Sequence, residues 1–340
     1  MKDRFLRACR REPVDCTPVW FMRQAGRYMP KYRALRAKHT FLELCRTPEL
    51  AAEVTLEPVD ALGVDAAILF SDLLLPLAPL GVPFDFRSGD GPVIETPLRS
   101  AAQIAALARF EPREELAPTF AAIHLLRREL DVPLIGFAGA PFTLAGYAVE
   151  GGHSTHFAHV KALMYEQPSV WHGLAELLAQ VAADYLIAQA EAGAQALMLF
   201  DSWVGVLNEA DYREFALPHV QALFASLAAT GVPLIHFGTG TGHLLGALRE
   251  AGGDVIGVDW RLPLDAARGI LGGGVAVQGN LDPTLLLAPR ERLLAGVNDV
   301  LARAAGRAGH VFNLGHGVLP ATPVENVRAV VEHVHARSAR

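Results

Sequence analysis

PLIGFAGA, residues 133–140, is apolar at consecutive positions and ends in small residues. A strand with one face in water alternates apolar and polar residues, so this continuous run is typical of a strand buried on both faces, as in a parallel sheet. Seven other stretches share the pattern and lead into polar or glycine residues: TPVWF (17–21), DAAILFSD (65–72), ALMLFDS (196–202), PLIHFGTG (233–240), DVIGVDW (254–260), VAVQGN (275–280) and HVFNLGH (310–316).

Helical patterns separate most of these strands. The segments 168–193 and 241–253 both close on glycine, which commonly ends a helix in the left-handed conformation. The last helix opens with TPVE (322–325), so we expect Thr322 to cap it in a capping box with Glu325. Eight strands that alternate with helices predict an α/β fold, a single (β/α)8 TIM-type barrel over residues 1–340. A doubly wound open sheet is the alternative.

Two connections are too long for simple crossovers, namely residues 22–64 after strand one and residues 73–132 after strand two. The second contains FDFRSGDGPVIE (84–95), whose SGDG predicts a hairpin turn between two short strands. No linker or repeat divides the chain, so both segments are expected to be inserts in one domain.

Composition restricts the possible partners and compartments. The formal net charge is -6 and the pI is about 6.1, which gives no general attraction to nucleic acid or to a membrane surface. The cysteines, Cys9, Cys16 and Cys45, lack CxxC spacing, which favours a reducing compartment over a disulfide framework. Residues 1–13 lack the apolar run of a signal peptide, and prolines and glycines interrupt the longest uncharged run. We therefore expect a soluble cytoplasmic protein.

Polar residues follow several of the predicted strands. Asp72 ends strand two, Tyr147 lies just past strand three, Ser202 ends strand four and His316 ends strand eight, while a basic loop follows strand one. Active sites of TIM-type barrels form at the C-terminal ends of the strands. The order of these residues therefore predicts one site at the mouth of the barrel.

The basic loop lies in PVWFMRQAGRYMPKYRALRAKH (18–39), which contains no acidic residue. Its cations are Arg23, Arg27, Lys31, Arg33, Arg36 and Lys38. Two arginines held four residues apart repel each other unless an anion lies between them, and the guanidinium fork suits a carboxylate or a phosphate. A solvated surface face is the alternative, but the position directly after a barrel strand favours an anion site.

The glycine-rich segment HFGTGTGH (236–243) suggests a phosphate-binding loop at first sight. It lacks the lysine of a P-loop and the spacing of a dinucleotide fingerprint. We interpret it as a close-packed barrel loop.

Five segments together resemble the uroporphyrinogen decarboxylase family of haem biosynthesis. They are PVWFMRQAGRYMPKYR, FSDLLLPLAPLG, GFAGAPFTLAGYAVEGG, FDSW and FNLGHGVLP, in order along nearly the whole chain. RQAGRYMP is the most specific of them. Phe142 stands where relatives commonly have tryptophan, which alters packing and not chemistry.

The resemblance implies a barrel that decarboxylates the acetate arms of a cyclic tetrapyrrole to methyl groups, giving coproporphyrinogen, without metal or organic cofactor. It also implies a homodimer. In such an enzyme, protonation of a pyrrole carbon makes a cation that takes up the electrons when carbon dioxide leaves, and a nearby carboxylate stabilises that cation. Carried over by motif, the substrate-binding residues are Arg23, Gln24, Ala25, Gly26, Arg27, Asp72, Tyr147, Ser202 and His316, with Arg36 in second rank.

Among these residues, Asp72 is expected to be catalytic and to face the pyrrole nitrogens, although an aspartate after a strand also suits a helix cap. Tyr147 and Ser202 also have purely structural interpretations, as a core tyrosine and a cap. The proton donor stays open between His316, a water bound to an arginine, and Asp72.

Two other functions compete. A corrinoid-linked methyltransferase would need a zinc site with thiolate ligands, yet no cysteine lies beyond Cys45. A tetrapyrrole carrier would use the same arginines but would not need a shielded carboxylate.

Overall fold

The structure is a computed structural model that describes residues 2–87 and 91–340. Its strands are β1 (Ala67–Ile68), β2 (Phe84–Arg87), β3 (Gly91–Ile94), β4 (Leu134–Gly139), β5 (Ala196–Asp201), β6 (Leu234–Gly238), β7 (Val255–Gly257), β8 (Ala276–Gln278) and β9 (His310–Val311). Its α-helices are α1 (Arg4–Cys9), α2 (Pro30–Arg36), α3 (Phe41–Arg46), α4 (Pro48–Leu62), α5 (Ala101–Ala105), α6 (Pro112–Glu115), α7 (Ala117–Glu129), α8 (Pro141–Glu150), α9 (Ala158–Glu166), α10 (Pro168–Ala192), α11 (Glu209–Asp211), α12 (Leu217–Leu227), α13 (Leu245–Ala251), α14 (Leu264–Leu271), α15 (Arg290–Ala304) and α16 (Val324–Ser338).

Seven parallel strands form one sheet in the order β1-β4-β5-β6-β7-β8-β9. Every residue of β4 and of β6 is buried, which confirms the burial on both faces that the continuous apolar runs predicted. The sheet curls as half a TIM-like barrel. Seven of the eight predicted strands lie in it, and their C-terminal ends share one edge because all of them run in the same direction.

The predicted first strand, residues 17–21, is not a regular strand, although it is bonded on both sides. Val19 makes an isolated parallel bridge with Phe312, and the Phe312 N–H donates to the Pro18 carbonyl at 2.8 Å. On the other side the Asp65 N–H donates to the Val19 carbonyl at 2.7 Å. The Val19 N–H donates to a side chain, Asp65 Oδ2, at 2.8 Å. Pro18 has no N–H to donate and Asp65 replaces a backbone acceptor, so no regular ladder forms.

Asp65 is the centre of this contact, which we call the Val19–Asp65 seam. Its carboxylate is buried, with 4% of its surface exposed. Besides Val19, it accepts from Arg4 Nη1 at 2.6 Å and pairs with His335 Nε2 at 2.7 Å. The seam therefore joins the first apolar segment, the start of β1, the first helix and the last helix.

The two long connections carry the predicted extra structure. Helices α2, α3 and α4 lie in residues 22–64, and the hairpin of β2 and β3 lies in residues 73–132, with Phe84 paired to Ile94. The antiparallel pairing confirms the predicted hairpin. Residues 88–90 of the predicted SGDG turn lie outside the described residues.

Helix ends agree with the sequence in one case and disagree in another. Helix α10 ends before Gly193, whose φ is +119°, as its glycine predicted. The predicted cap by Thr322 is wrong: α16 begins at Val324 after an N-cap at Pro323, and the buried Thr322 hydroxyl has no hydrogen-bond partner within the described residues. A complete capping box occurs at α3, where Thr40 Oγ1 accepts from the Glu43 N–H at 3.1 Å.

Two further features concern the sequence predictions on compartment. Throughout residues 2–87 and 91–340, no helix has the length and apolar character needed to span a membrane. Cys9, Cys16 and Cys45 are free thiols, and all of them are buried.

Removing the seam carboxylate should destabilise the fold. In Asp65→Ala the buried Val19 N–H loses its acceptor and the Arg4 and His335 side chains lose a partner, so the free energy of unfolding should fall by about 3 kcal/mol. Denaturant unfolding measures this change. Asp131→Ala is the control, because Asp131 pairs with Lys2 in an exposed ion pair and should cost less than about 1 kcal/mol. Equal losses of unfolding free energy in both variants would show that the Val19–Asp65 seam stabilises the fold no more than an exposed ion pair does.

The two threonines make a second matched pair. Thr40→Val removes a cap and should cost about 1 kcal/mol of unfolding free energy. Thr322→Val removes a buried hydroxyl that has no partner, so it should be neutral or stabilising. Thermal melts of both variants test this order, and a larger loss at Thr322 would restore the cap that the sequence suggested.

Candidate active site at the strand ends

The basic loop starts directly after the Val19–Asp65 seam, and Gln24 anchors it. Gln24 is 1% exposed; its side chain accepts from the Phe21 N–H and donates to the Ala66 carbonyl, both at 3.1 Å. Its own carbonyl accepts from the Tyr28 hydroxyl at 2.7 Å. Because these bonds within the protein satisfy the Gln24 side-chain amide, this predicted site residue anchors the basic loop to the residues before β1.

Arg23 has a backbone conformation that side-chain-bearing residues rarely adopt. Its φ is +60°, in the left-handed region, and its side chain is exposed. Neighbouring Gln24 bonds hold this conformation, and such conformations occur at sites where a residue must be aimed. Gly26 supports it, because a Cβ there would lie 3.0 Å from the Arg23 carbonyl oxygen. Ala25 and Gly26 are half-buried.

The cations of the basic stretch differ in their partners. Lys31 pairs with Glu53 at 3.0 Å. Arg33 donates to the carbonyls of residues 27 and 28, and Arg36 donates to the carbonyl of His39. Within the described residues, Arg23 and Arg27 have no ion pair and no side-chain hydrogen bond of this kind. Lys38 likewise has none among the described residues. Of the arginines in the stretch, the two that the sequence singled out are therefore the ones left for an anion.

Asp72 lies four residues after β1, and it is half-buried. Its Oδ1 accepts from the Leu74 N–H at 2.8 Å, which forms a turn of the Asx type. The helix cap that the sequence allowed is wrong, because the short 3-10 helix Leu75–Leu77 has its N-cap at Leu74 and no side-chain cap bond. Burial raises the pKa of the Asp72 carboxyl to about 6, while the Leu74 N–H and the Arg23 charge act to lower it. The turn uses one oxygen, and Oδ2 has no hydrogen-bond partner among the described residues.

Tyr147 projects from α8, which follows β4. Its ring packs edge-on against Trp203, with centroids 5.8 Å apart. Burial and the Asp72 charge raise the pKa of the Tyr147 hydroxyl, and Arg23 opposes them. Tyr147 therefore lies within electrostatic reach of both Asp72 and Arg23. Ser202, half-buried at the end of β5, immediately precedes the Trp203 that contacts Tyr147.

His316 follows β9 and has a defined tautomer. Its Nδ1 accepts from the Gly317 N–H at 2.6 Å; because a backbone N–H only donates, the neutral ring carries its proton on Nε2. Burial first, then the Arg23 charge and that of Arg261, lower the pKa of His316 to about 4, against an opposing effect of Asp259. The imidazole is therefore neutral at pH 7.

The glycines beside His316 make room for protein neighbours. A Cβ at Gly317 would lie 2.4 Å from Arg23 Cδ, and a Cβ at Gly315 would lie 2.2 Å from the Trp260 nitrogen. The sequence suggested that these glycines let backbone approach a ligand. Their close approaches in the structure are to Arg23 on one side and Trp260 on the other.

Four of the predicted residues thus act on one another, since Arg23 affects the pKa of Asp72, Tyr147 and His316. Arg27 and Arg36 are connected to this group of residues only through Tyr32. Burial raises the pKa of Tyr32, and both arginines act to lower it. Tyr32 packs edge-on against Phe70, with centroids 5.6 Å apart, and Phe70 lies two residues before Asp72. No contact links Ser202 to Arg23 or Asp72 among the described residues.

Sequence reasoning missed Asp201, the residue before Ser202. Asp201 is fully buried; its Oδ1 accepts from Thr143 Oγ1 at 3.1 Å, and its Oδ2 has no partner within the described residues. Burial raises its pKa to about 7, with Thr143 opposing. Thr143 also accepts from the Trp203 N–H at 3.3 Å, so Asp201 ties the end of β5 to the helix that carries Tyr147. Its place in FDSW, one residue before a predicted site residue, was the available signal.

The segment 236–243 is close-packed, as predicted, on the side that faces Gly205, while Gly240 has open space beside it. A Cβ at Gly205 would lie 2.2 Å from the Thr239 carbonyl oxygen. Asp259 Oδ2 accepts from the Gly240 N–H at 2.9 Å and fixes the loop. In the part of the chain that the structure describes, no group of three or more His, Cys, Asp or Glu side chains is arranged to hold a metal ion.

This arrangement suits an anionic ligand that develops positive charge. Unpaired guanidinium groups of Arg23 and Arg27 attract carboxylates, and a half-buried carboxylate such as Asp72 stabilises a cation formed beside it. The neutral His316 ring has an Nε2–H to donate to an oxygen acceptor.

Comparison with known proteins identifies the family. The family model for uroporphyrinogen decarboxylase (URO-D) matches residues 1–337. A uroporphyrinogen decarboxylase of Sorangium cellulosum is 59% identical over 338 residues, covering 99% of this chain and 97% of the relative. One of Geobacter metallireducens is 53% identical over 342 residues and covers both chains fully, at 100% each.

Solved structures support the fold alone. A methyltransferase from Methanosarcina mazei aligns with a TM-score of 0.81 at 20% identity, covering 99% of this chain and 98% of that one. A B12-independent methionine synthase from a Shewanella species aligns with a TM-score of 0.57 at 10% identity, covering 85% and 88%. Both of these proteins are less than a quarter identical to this chain. The family model, in contrast, matches nearly its full length, and the relatives are more than half identical to it over a similar span. The chain therefore belongs to the uroporphyrinogen decarboxylase family.

Proposed function

We propose that this protein removes carbon dioxide from the acetate arms of uroporphyrinogen, leaving methyl groups and giving coproporphyrinogen. The observation that carries the proposal is the half-buried carboxylate of Asp72 within electrostatic reach of the unpaired guanidinium of Arg23. A carrier needs only the arginines, whereas a reaction through a cationic pyrrole also needs a shielded negative charge.

Substrate binding rests on the unpaired arginines. Uroporphyrinogen is a ring of carboxylate arms, so Arg23 and Arg27 would each bind an arm through the guanidinium fork. Tyr147, Ser202 and His316 would position further arms, and Arg36 would assist. Gln24, Ala25 and Gly26 would line the site next to Arg23 and keep Arg23 in its conformation.

Asp72 would face the pyrrole nitrogens and accept their hydrogen bonds with Oδ2, the oxygen that the bond to the Leu74 N–H leaves free. When a pyrrole carbon is protonated, the positive charge spreads over that ring, and the Asp72 carboxylate stabilises it. Carbon dioxide then leaves with its bonding electrons returned to the pyrrole system, and a second proton, added at the exocyclic carbon, completes the methyl group. Loss of the proton first placed on the ring carbon restores the neutral pyrrole, so that one proton is consumed for each carbon dioxide released.

His316 would bind an arm and not supply the proton. Its ring is neutral at pH 7, and a neutral imidazole gives up its Nε2 proton only at very high pH, so it donates a hydrogen bond to a carboxylate instead. The proton would then come from a water held by Arg23 or from Asp72 itself, whose raised pKa keeps a fraction protonated.

The remaining predictions concern the whole protein. We propose that the segment 17–21 closes an eight-stranded barrel, since its backbone bonds reach both Phe312 and Asp65, and that residues 1–340 form one domain. A cytoplasmic homodimer without metal or organic cofactor and without nucleic-acid or membrane partners is proposed from the family.

Anaerobic incubation with uroporphyrinogen, followed by separation of the products, tests the function directly. Stepwise loss of carboxyl groups to coproporphyrinogen is expected. Unchanged substrate that stays bound would identify a carrier. Stoichiometric zinc in the purified protein, together with methyl transfer, would identify the methyltransferase alternative.

Asp72→Asn should remain folded and lose activity. Asparagine can still accept from the Leu74 N–H, but it lacks the charge that stabilises the cation, so kcat should fall by about 100- to 1,000-fold with little change in KM. Asp254→Asn is the control, because Asp254 Oδ2 accepts from the Leu234 N–H at 2.8 Å at the opposite end of the sheet. Near-parental kcat in folded Asp72→Asn would falsify this mechanism.

The pH dependence of kcat/KM tests the charge state of Asp72. The carboxylate form is lost as pH falls through its pKa of about 6, so kcat/KM should decrease below that pH. Arg23 lowers this pKa, so Arg23→Gln should move the acid limb to higher pH while weakening binding. A rate that rises toward pH 6 would instead identify protonated Asp72 as the proton donor.

Arg27→Ala should weaken substrate binding and leave the fold intact. Loss of a charged hydrogen-bond partner should raise KM by about tenfold, and Arg27→Lys should recover only part of it because an ammonium lacks the fork. Lys31→Ala removes one charge from the same stretch, but Lys31 pairs with Glu53, so steady-state kinetics should match the parent. Equal KM in Arg27→Ala and the parent would remove Arg27 from the site.

A further inference from the structure

A cation that the family motifs do not assign lies on the far side of His316. Arg261 follows β7, and its guanidinium carbon lies 3.8 Å from the centroid of the Trp260 ring. Trp260 in turn packs edge-on against His316, with centroids 6.1 Å apart. His316 therefore lies between Arg23, which touches Gly317, and the stacked pair of Trp260 and Arg261.

Arg261 is fixed by bonds to Asp259, but part of its guanidinium is exposed to solvent. The backbone N–H of Arg261 donates to Asp259 Oδ1 at 2.8 Å, and Nη1 of its guanidinium donates to Asp259 Oδ2. Asp259 is buried and also receives the Gly240 N–H. The Arg261 side chain is nevertheless 56% exposed, and its Nε and Nη2 have no partner in the described part of the chain. The fork is pre-oriented by stacking and by one bond, with donors to spare.

A cavity adjoins this guanidinium. Its volume is about 230 Å³, and its lining includes Gly240, Gly242, His243, Asp259 and Arg261. That volume exceeds several water molecules, so a carboxylate arm of two or three carbons fits. The lining comes from the loops after β6 and β7, at the same edge of the sheet as Asp72 and His316, because those strands are parallel.

We propose that Arg261 and this cavity form a subsite for a carboxylate arm on a pyrrole remote from Asp72, with the guanidinium fork binding the arm. The proposal rests on the function proposed above. A macrocycle with carboxylates around its rim, held at one pyrrole by Arg23 and Asp72, projects other arms across the mouth. Without a cation there, those arms would meet the buried carboxylate of Asp259.

The electrostatic surroundings agree with this placement. Behind burial, the charges of Arg23 and Arg261 lower the pKa of His316, while Asp259 raises it by more than Arg261 lowers it. Both cations, and the carboxylate that pairs with Arg261, therefore lie within electrostatic reach of one neutral ring. An arm bound at Arg261 would contribute binding energy away from the reacting carbon, which affects substrate affinity and not the chemical step.

Steady-state kinetics with uroporphyrinogen test the subsite. Arg261→Gln should raise KM by about five- to twentyfold and leave kcat within about twofold. High salt should lower kcat/KM less in this variant than in the parent, because one screened charge is gone. Arg303→Gln is the control: Arg303 is also ion-paired, to Asp299 and Asp265, but it lies near the end of α15, at the sheet edge where β9 begins, opposite the mouth. Its KM should equal the parent's.

The outcomes separate the subsite from the function. A parent protein that does not turn over uroporphyrinogen contradicts the proposed function. A parent that does, with unchanged KM in folded Arg261→Gln, overturns the subsite, as does a fall in kcat at constant KM. Arg261→Lys keeps a charge beside Asp259 and serves if the glutamine variant does not fold. A lysine variant with parental KM would also overturn binding through the fork.

Discussion

The Val19–Asp65 seam is the contact on which the position of the site depends. Residue 65 donates its N–H to the Val19 carbonyl, and its carboxylate accepts the Val19 N–H. These two bonds fix the position of Val19 relative to the start of β1. Arg23 of the basic loop lies only four residues after Val19. Arg4 and His335 hold the same carboxylate from two helices. The first and last parts of the chain thereby fix the direction in which Arg23 leaves the sheet.

Hydrogen bonds hold the basic loop together around Arg23 and Arg27, and the one ion pair that it makes within the described residues is that of Lys31 with Glu53. Gln24 and Tyr28 tie its backbone, and Arg33 bonds to two of its carbonyls. Acidic side chains would neutralise the loop but would also occupy the guanidinium groups that an anionic substrate needs. Leaving Arg23 and Arg27 unpaired costs some electrostatic repulsion in the empty protein, and a bound carboxylate relieves it.

The half-buried carboxyl group of Asp72 and the buried one of Asp201, both near the mouth, differ because their neighbours differ. Asp72 has a backbone N–H and the charge of Arg23 to support its ionised form, and its pKa rises only to about 6. Asp201 has one threonine hydroxyl, and its pKa rises to about 7. Burial disfavours the charge in both cases. The group whose charge Arg23 supports is therefore the one that stays mostly ionised at neutral pH, which is the form that the cation-stabilising role proposed for it requires.

Sequence patterns alone were sufficient to predict the parallel sheet and the order in which polar residues follow its strands, and they predict an anion site in the loop after residue 21. These are properties of local pattern, since continuous apolar runs report burial on both faces and parallel strands share one edge. Sequence motifs also indicated the family, which full-length relatives confirm. Tertiary structure alone decided that Asp65 completes the first segment, that Arg23 and Arg27 stay unpaired while Lys31 does not, that His316 carries its proton on Nε2, and that Thr322 caps nothing. Each of these depends on a partner brought close by folding, such as Val19 and Asp65, which are 46 residues apart, and residue spacing carries no information about such partners.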